Sequence, residues 1–287
     1  SDQVSGIGSH GQTLRHSPDS APPYTIQLGD PATITQACGI ATVADFRSLD
    51  IAAGGQGAPL VPPFHEAYFR SGNSNTVVLN IGGIANVTLL PGDRALPLRG
   101  FDTGPGNCLL DEWIALHRQQ AFDTNGDWAQ TGNIAPGLLD ALMSDPYISR
   151  MPPKSSGREY FNLAWLQAVL RKAHAHDLQP EDVQATLLAY TVESIAFGIE
   201  QVATALERVL VCGGGARNGR IMAGLRARLN GVSVDSTDAV GANPDSIEAV
   251  AFAWLARQRM NETPVRLTTV DAVTRRLLGA VYLPTTA

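Results

Sequence analysis

The spacing of apolar and polar positions changes several times along the chain, and each change marks a predicted element. Residues 76–90, TVVLNIGGIANVTLL, form two apolar β-branched runs around Gly82-Gly83, which predicts a hairpin. Residues 24–28, 40–46 and 98–102 read as short strands. Asp30-Pro31 opens a helix, because Asp accepts from the first unpaired amides and proline in the first turn has no N–H to satisfy. A second helix is predicted from Cys108 to about His117, with Leu109, Leu110, Trp113 and Ile114 on one face. Residues 181–206 give a long helix with Leu187, Leu188, Ile195, Ile199 and Val202 as its buried stripe. A β–α–β unit follows: strand 209–212, turn 213–218, helix 219–229 and strand 232–234. Residues 245–259 form one more amphipathic helix. Residues 47–63 are too rich in Gly and Pro for a regular element and read as a shaped loop, and the polar stretch 123–159 promises few strands. A hairpin and a βαβ unit in one chain predict an α/β fold with a mixed sheet.

Composition narrows the function classes. The chain has 287 residues, 44% hydrophobic and 17% charged, enough for one large or two medium domains with real cores. The net charge of −6, with no basic stripe, argues against nucleic acid. No apolar run of about 18 residues predicts a membrane span, and SDQVSGIGSH lacks the charged and apolar regions of a signal peptide. Cys38, Cys108 and Cys212, without a CxxC, suit reduced thiols in the cytoplasm.

Two glycine-rich turns are the first candidates for chemistry: Asn80-Ile-Gly-Gly-Ile-Ala-Asn86 in the hairpin and Gly213-Gly-Gly-Ala-Arg-Asn218 between a strand and a helix. Glycine lets backbone amides come close to a phosphate, and a helix N-terminus adds positive potential, although a tight hairpin wants Gly-Gly for its own sake. No Gly-Lys dipeptide occurs, which excludes a Walker A loop. Gly213 and Gly215 fit part of a dinucleotide fingerprint with Asp235 ending the next strand, so an NAD-dependent dehydrogenase is the alternative from local pattern. Asp102 ends a predicted strand ahead of Thr103-Gly-Pro-Gly-Asn107, a place that suits either a general base or a loop cap. Arg47 in DFRSLD could hold a phosphate or sugar hydroxyl, or only a surface ion pair. His174 and His176, two apart, do not share a helix face and predict no metal site.

Taken together, GSHGQTLRH at 8–16, TIQLGDP at 25–31, DFRSLDIAAGGQGAPLVP at 45–62, LNIGGIANVT at 79–88, FDTGPGN at 101–107, VCGGGARN at 211–218 and NPDSIEAVAFAWLA at 243–256 resemble the anhydro-N-acetylmuramic acid kinase family, in order and nearly end to end. The resemblance implies the actin/hexokinase-like (ribonuclease H-like) architecture, two α/β domains with mixed sheets closing over ATP. It implies a sugar-binding domain of residues 1–72 and 264–287 and a nucleotide domain of residues 73–263. ATP would be bound by Asn80, Gly82, Gly83 and Asn86 of the second phosphate hairpin and by Gly213, Gly214, Gly215 and Asn218 of the adenosine turn. Asp102 would be the catalytic base, and His10, Gln12, Arg47, Asp50, Gln56 and Gly104 would contact the sugar. Mg²⁺ would accompany ATP, with no ligands assigned, and a homodimer is a candidate assembly. The family opens with a first phosphate hairpin of the type GxMSGTSxDGxD; this sequence starts past it, at SDQVSGIGSHGQT, so the chain alone is expected to transfer phosphoryl groups poorly. The implied reaction opens a 1,6-anhydro sugar and phosphorylates O6. A non-catalytic nucleotide-binding relative is the other alternative.

Overall fold

The structure, a computed structural model, describes residues 3–203, 205–267 and 275–285. Residues 1–2, 204, 268–274 and 286–287, which the predicted domains and the long helix include, lie outside the described residues. The chain divides into two compact units. The first gathers Ser1–Arg70, Arg94–Gly100 and Ile247–Ala287, and the second Ser71–Asp93 and Phe101–Ser246.

The first unit begins with β1 (Ile7–Gly8), the antiparallel ribbon of β2 (Gln12–Ser17) and β3 (Tyr24–Leu28), and helix α1 (Pro31–Cys38). Asp30 caps α1 as predicted: its carboxylate accepts from the Ala32 and Thr33 amides, and Gly39, at φ 65°, closes the far end. Strand β4 is only Thr42–Ala44, shorter than its sequence promised. Two short helices, α2 (Ser48–Ala52) and α3 (Pro62–Phe69), occupy parts of the stretch that reads as loop. Pro62 and Pro63 can start α3 because a first helical turn needs no N–H from them.

The second unit is built on the hairpin. Strands β5 (Thr76–Ile81) and β6 (Ile84–Leu90) pair antiparallel around Gly82-Gly83, as predicted. Strand β7 is Arg99–Pro105, followed by α4 (Cys108–Arg118), α5 (Pro136–Met143), α6 (Pro146–Ser149), α7 (Leu163–Lys172) and α8 (Pro180–Glu200). Then come β8 (Arg208–Cys212), α9 (Gly219–Arg228) and β9 (Ser233–Ser236). The sheet order is β7-β6-β5-β8-β9, with β5 to β8 and β8 to β9 parallel, so the sheet is mixed. Val77, Leu79 and Ile81 of β5 bury in one core with Trp113, Ile114, Tyr190, Ile195 and Ile221. Helix α8 ends before Val202, which packs against that core from beyond the helix.

Helix α10 (Ile247–Met260) and the short strands β10 (Val265–Arg266), β11 (Arg275–Arg276) and β12 (Ala280–Tyr282) return to the first unit. There β4 lies between parallel β1 and antiparallel β12. This corrects the predicted boundary at 263. Phe252, Leu255 and Ala256 of α10 bury against Val43, Phe46 and Leu60, and Gly8 of β1 lies so close to the Phe252 carbonyl that a side chain there would overlap it.

Candidate functional site

Strand register brings the two glycine turns of the second unit to the same end of the sheet. Asn80 of β5 stands opposite Cys212 of β8, so Gly82-Gly83 and Gly213 leave adjacent strands side by side. Gly213 has φ 78°, and a Cβ on it would press on the Asn80 side chain and the Ile81 carbonyl. Gly215 packs on the Ile81 side chain with no room for a Cβ. Gly214 differs from both: a Cβ there would meet nothing nearer than Asn107 Nδ2 at 3.9 Å. Contact requires the outer two glycines, and the middle one borders open space. Asn218 is a helix cap, its Oδ1 accepting from the Arg220 and Ile221 amides of α9.

The hairpin turn rests on the start of α4. Asn107 N–H donates to Gly82 O (2.8 Å), and the Gly106 and Cys108 amides donate to Gly83 O (2.9 and 3.1 Å). Amides that a helix start leaves without partners thereby fix the turn. Above Gly82 the space is open, the nearest neighbour of a Cβ being Ile84 O at 3.6 Å. Asn80 and Asn86 pair across the hairpin, and among the described residues Asn86 Oδ1 is buried without a hydrogen-bond partner.

Asp102 lies in the middle of β7, not at a strand end. Thr103-Gly-Pro105 continues the strand because β7 is at the edge of the sheet, where a proline breaks no ladder. A strap of residues 150–162 fastens it. Asp102 N–H donates to Lys154 O (3.2 Å), and Ser156 N–H donates to Asp102 Oδ2 (3.0 Å). Tyr147 Oη donates to the Asp102 carbonyl (2.9 Å). The strap also carries Lys154, 4% exposed, whose Nζ donates to the Tyr147 and Ile148 carbonyls at 3.2 and 3.0 Å. Burial, seconded by the Arg150 charge, lowers its pKa to about 8, while Asp102 opposes the shift. The Ser156 amide fixes the direction in which this half-buried carboxylate points. Gly104, expected at the sugar, is instead buried in β7 against Ile148 and Ser194, where a larger residue would not fit easily.

The remaining sugar candidates are in the first unit, and most hold one another. Arg47 Nε donates to His10 Nε2 (2.9 Å) and Arg47 Nη1 to Gly57 O (2.6 Å). His10 Nδ1 is 2.7 Å from Gly11 O, so the neutral Nδ1–H tautomer satisfies both contacts. Burial, and next the Arg47 charge, lower the His10 pKa to about 4. Asp50 is 1% exposed, its Oδ2 accepting from Gly57 N–H (2.8 Å) and its Oδ1 facing Arg276 Nε at 3.1 Å. That corrects its assignment to the sugar: the carboxylate supports the loop at 54–57. Gln56 reaches Asp19 (3.1 Å), and Gln12, exposed on the β2–β3 ribbon, makes a long 3.5 Å contact to Thr13 O.

A family model described as anhydro-N-acetylmuramic acid kinase matches residues 1–284. The chain is 50% identical to the anhydro-N-acetylmuramic acid kinase of Pasteurella multocida (strain Pm70), over 98% of this chain and 74% of that protein. The chain belongs to the anhydro-N-acetylmuramic acid kinase family. Kinases of the same name from Xanthomonas axonopodis pv. citri (strain 306), 48% identical, and Coxiella burnetii (strain Dugway 5J108-111), 45% identical, also align over 98% of this chain, covering 74% and 75% of theirs. A solved activator of 2-hydroxyisocaproyl-CoA dehydratase from Clostridium difficile with bound ADPNP matches at 15% identity and a TM-score of 0.44, over 71% of this chain and 67% of that one, a likeness too slight to decide the fold.

Membership in this kinase family removes the dehydrogenase alternative. It also shows what motif reading missed. Lys154, Ser156 and Arg158 in the strap, and Arg276 behind Asp50, belong to stretches without hydrophobic periodicity, and only their contacts reveal them. Among the described residues no three His, Cys, Asp or Glu side chains gather as a metal cage. A Mg²⁺ that arrives on a triphosphate asks for less, since it keeps several waters and takes one or two carboxylates. Among the described residues, no helix is long and apolar enough to cross a membrane.

Proposed function

We propose that this protein is an ATP-dependent kinase that opens the bridge of 1,6-anhydro-N-acetylmuramic acid and phosphorylates its O6, giving N-acetylmuramic acid 6-phosphate for cell-wall recycling in the cytoplasm. The observation that carries the base assignment is the carboxylate of Asp102, oriented by the Ser156 amide in the unit that also holds both glycine turns. Nucleotide and base belong to the second unit in this reading.

The reaction joins an inverting glycoside hydrolysis to a phosphoryl transfer. Asp102 takes a proton from water as the water oxygen bonds to C1. The C1–O6 bond breaks, and its electron pair stays on O6. O6 bonds to the γ-phosphorus while the bond from that phosphorus to the β–γ bridging oxygen breaks, releasing ADP. Because the phosphoryl group captures O6, no general acid is required, and one carboxylate suffices. Mg²⁺, bound with ATP, supplies charge neutralisation on the phosphates.

Turnover in ¹⁸O-water, followed by mass spectrometry of rapidly quenched product with controls for exchange at C1, tests this route. Solvent oxygen on C1 and an unlabelled phosphate are expected. No label in the sugar would instead mean an ordinary kinase that deprotonates an existing hydroxyl, and would overturn the coupled mechanism.

A further inference from the structure

We propose that Arg158 is a catalytic residue of this kinase: its guanidinium holds the γ-phosphoryl group of ATP at the Gly82-Gly83 turn during transfer. The inference rests on reading that turn as a phosphate hairpin. Three observations carry it.

The first is position. A Cβ on Gly83 would lie 3.0 Å from Arg158 Nε and 3.1 Å from its Nη2, so the guanidinium lies close over the turn. Gly82, the other glycine of the turn, borders open space.

The second is the segment that delivers it. Ser156, two residues earlier, donates its amide to the Asp102 carboxylate. Between them Gly157 is folded so tightly under the Glu159 carboxylate that a Cβ would overlap it. One short strap therefore sets the base and the cation together, and movement of either end moves both. Tyr160 and Phe161 amides donating to Gly157 O (both 3.1 Å) close the strap behind Arg158.

The third is availability. Among the described residues the Arg158 side chain makes no ion pair and no hydrogen bond, while the other cations near these turns are committed. Lys154 is held by two carbonyls, Arg217 by Asp245 and Arg220 by Gln130. The carboxylates that face Arg158 come from α4. Glu112 accepts the Leu163 amide at 2.6 Å, and Asp111 is half-buried, its pKa pushed up to about 6 by burial against the opposing pull of Arg158. Neither is within ion-pair distance. An exposed planar fork of donors on a glycine turn, beside open space, suits the oxygens of a phosphoryl group. Arg158 forms and breaks no bond. It donates to the oxygens whose charge shifts as the phosphoryl group passes from ADP to O6.

The test uses the full-length enzyme and three inert or product nucleotides: AMP, ADP and AMPPNP. In Arg158→Ala, calorimetry is expected to show AMP affinity unchanged and AMPPNP affinity lowered about tenfold, with turnover lowered about 10³-fold. Added guanidinium ion should restore part of the turnover, and Arg158→Lys should restore less than full activity because an ammonium lacks the fork. Equal weakening of AMP, ADP and AMPPNP, or turnover within about threefold of the parent, overturns the proposal, since one charge-assisted pair on the transferred group is worth more than that. If Arg158→Ala does not fold, Arg158→Lys decides on the ratio of AMPPNP to AMP affinity alone: a lowered ratio supports the role and an unchanged ratio overturns it. Asp102→Asn, run beside it, separates the two readings. Full turnover there, with the Arg158 losses intact, removes the base assignment and leaves the arginine standing.

Discussion

The two units use their polar residues in opposite ways. In the second, glycine packing is spent on making room: Gly213 and Gly215 close onto β5 so that Gly214 and Gly82 border open space. The strap of residues 150–162 holds the Asp102 carboxylate of β7 through the Ser156 amide and lays the Arg158 guanidinium on the Gly83 turn. In the first unit the polar side chains satisfy one another, His10 with Arg47, Arg47 with Gly57, Asp50 with Gly57 and Arg276. Motif membership therefore does not distinguish a residue that meets a ligand from one that holds the loop that does. Buried polar groups need partners, and a loop of residues 54–57, three of them glycine, has few of its own to offer.

The two aspartates put the contrast at its largest. Asp102→Asn keeps the shape and removes the basic oxygen, so turnover should fall about 10²–10⁴-fold with the melting temperature and AMP affinity nearly unchanged. Asp50→Asn should do the reverse. It breaks a buried contact with Arg276 and should lower unfolding free energy by about 3 kcal/mol, near the low end for such pairs because Arg276 keeps some access to water. Denaturant titration and steady-state kinetics of both variants measure this. A stable Asp50→Asn with only a raised KM for the sugar would return Asp50 to the ligand and dissolve the distinction between the units.

A smaller effect tests the space around the adenosine turn. Gly214→Val has room in the protein, so it should fold normally and weaken AMP binding about tenfold by filling the place a ligand would take, a loss of about 1.4 kcal/mol. Gly215→Val, which overlaps Ile81, should lose stability instead. Thermal melts with and without nucleotide separate the cases. Undiminished nucleotide stabilisation in a folded Gly214→Val would mean that no ligand approaches there.

What the sequence made legible follows from the range of the interactions. The hairpin at residues 76–90, the Asp30 cap and the α4 face of Leu109, Leu110, Trp113 and Ile114 all depend on neighbours within a few residues, and all appear where predicted. The strap is invisible to such reading, because its purpose lies in bonds to Asp102, 54 residues before Ser156, and in the packing of Arg158 on Gly83. Arg276, at the other end of the chain from Asp50, is hidden for the same reason. The strand end assigned to Asp102 failed differently: Thr-Gly-Pro is a good turn signal, but at a sheet edge the extended backbone continues through proline without losing a hydrogen bond. Gly104 shows the matching error, a motif glycine that is small for the sake of Ser194 and Ile148.

The smallest expected effect concerns pH, and it asks whether His10 is held by Arg47 in solution. Its Nε2 accepts from Arg47 and its Nδ1–H meets Gly11 O, so a second proton would have to displace the guanidinium. The folded pKa is accordingly lowered to about 4, against an ordinary value of 6.5. Between those values the unfolded chain binds a proton on this residue and the folded chain does not. Acid therefore favours unfolding, and the stability present above pH 6.5 is lost progressively as the pH falls towards 4. Since the ring is only partly buried, the loss between pH 7 and 5 should be about 1 kcal/mol, less than the full shift would give at 1.36 kcal/mol per pKa unit. The comparison variant is His10→Gln, whose amide oxygen can still accept from Arg47 but cannot titrate. Denaturant unfolding of both proteins at pH 7, 6 and 5 should show the parent losing about 1 kcal/mol more than the variant over that range. Equal pH slopes would mean that His10 titrates normally in the folded protein, unclasped from Arg47, and that the first unit, like the second, keeps a polar side chain open to a ligand.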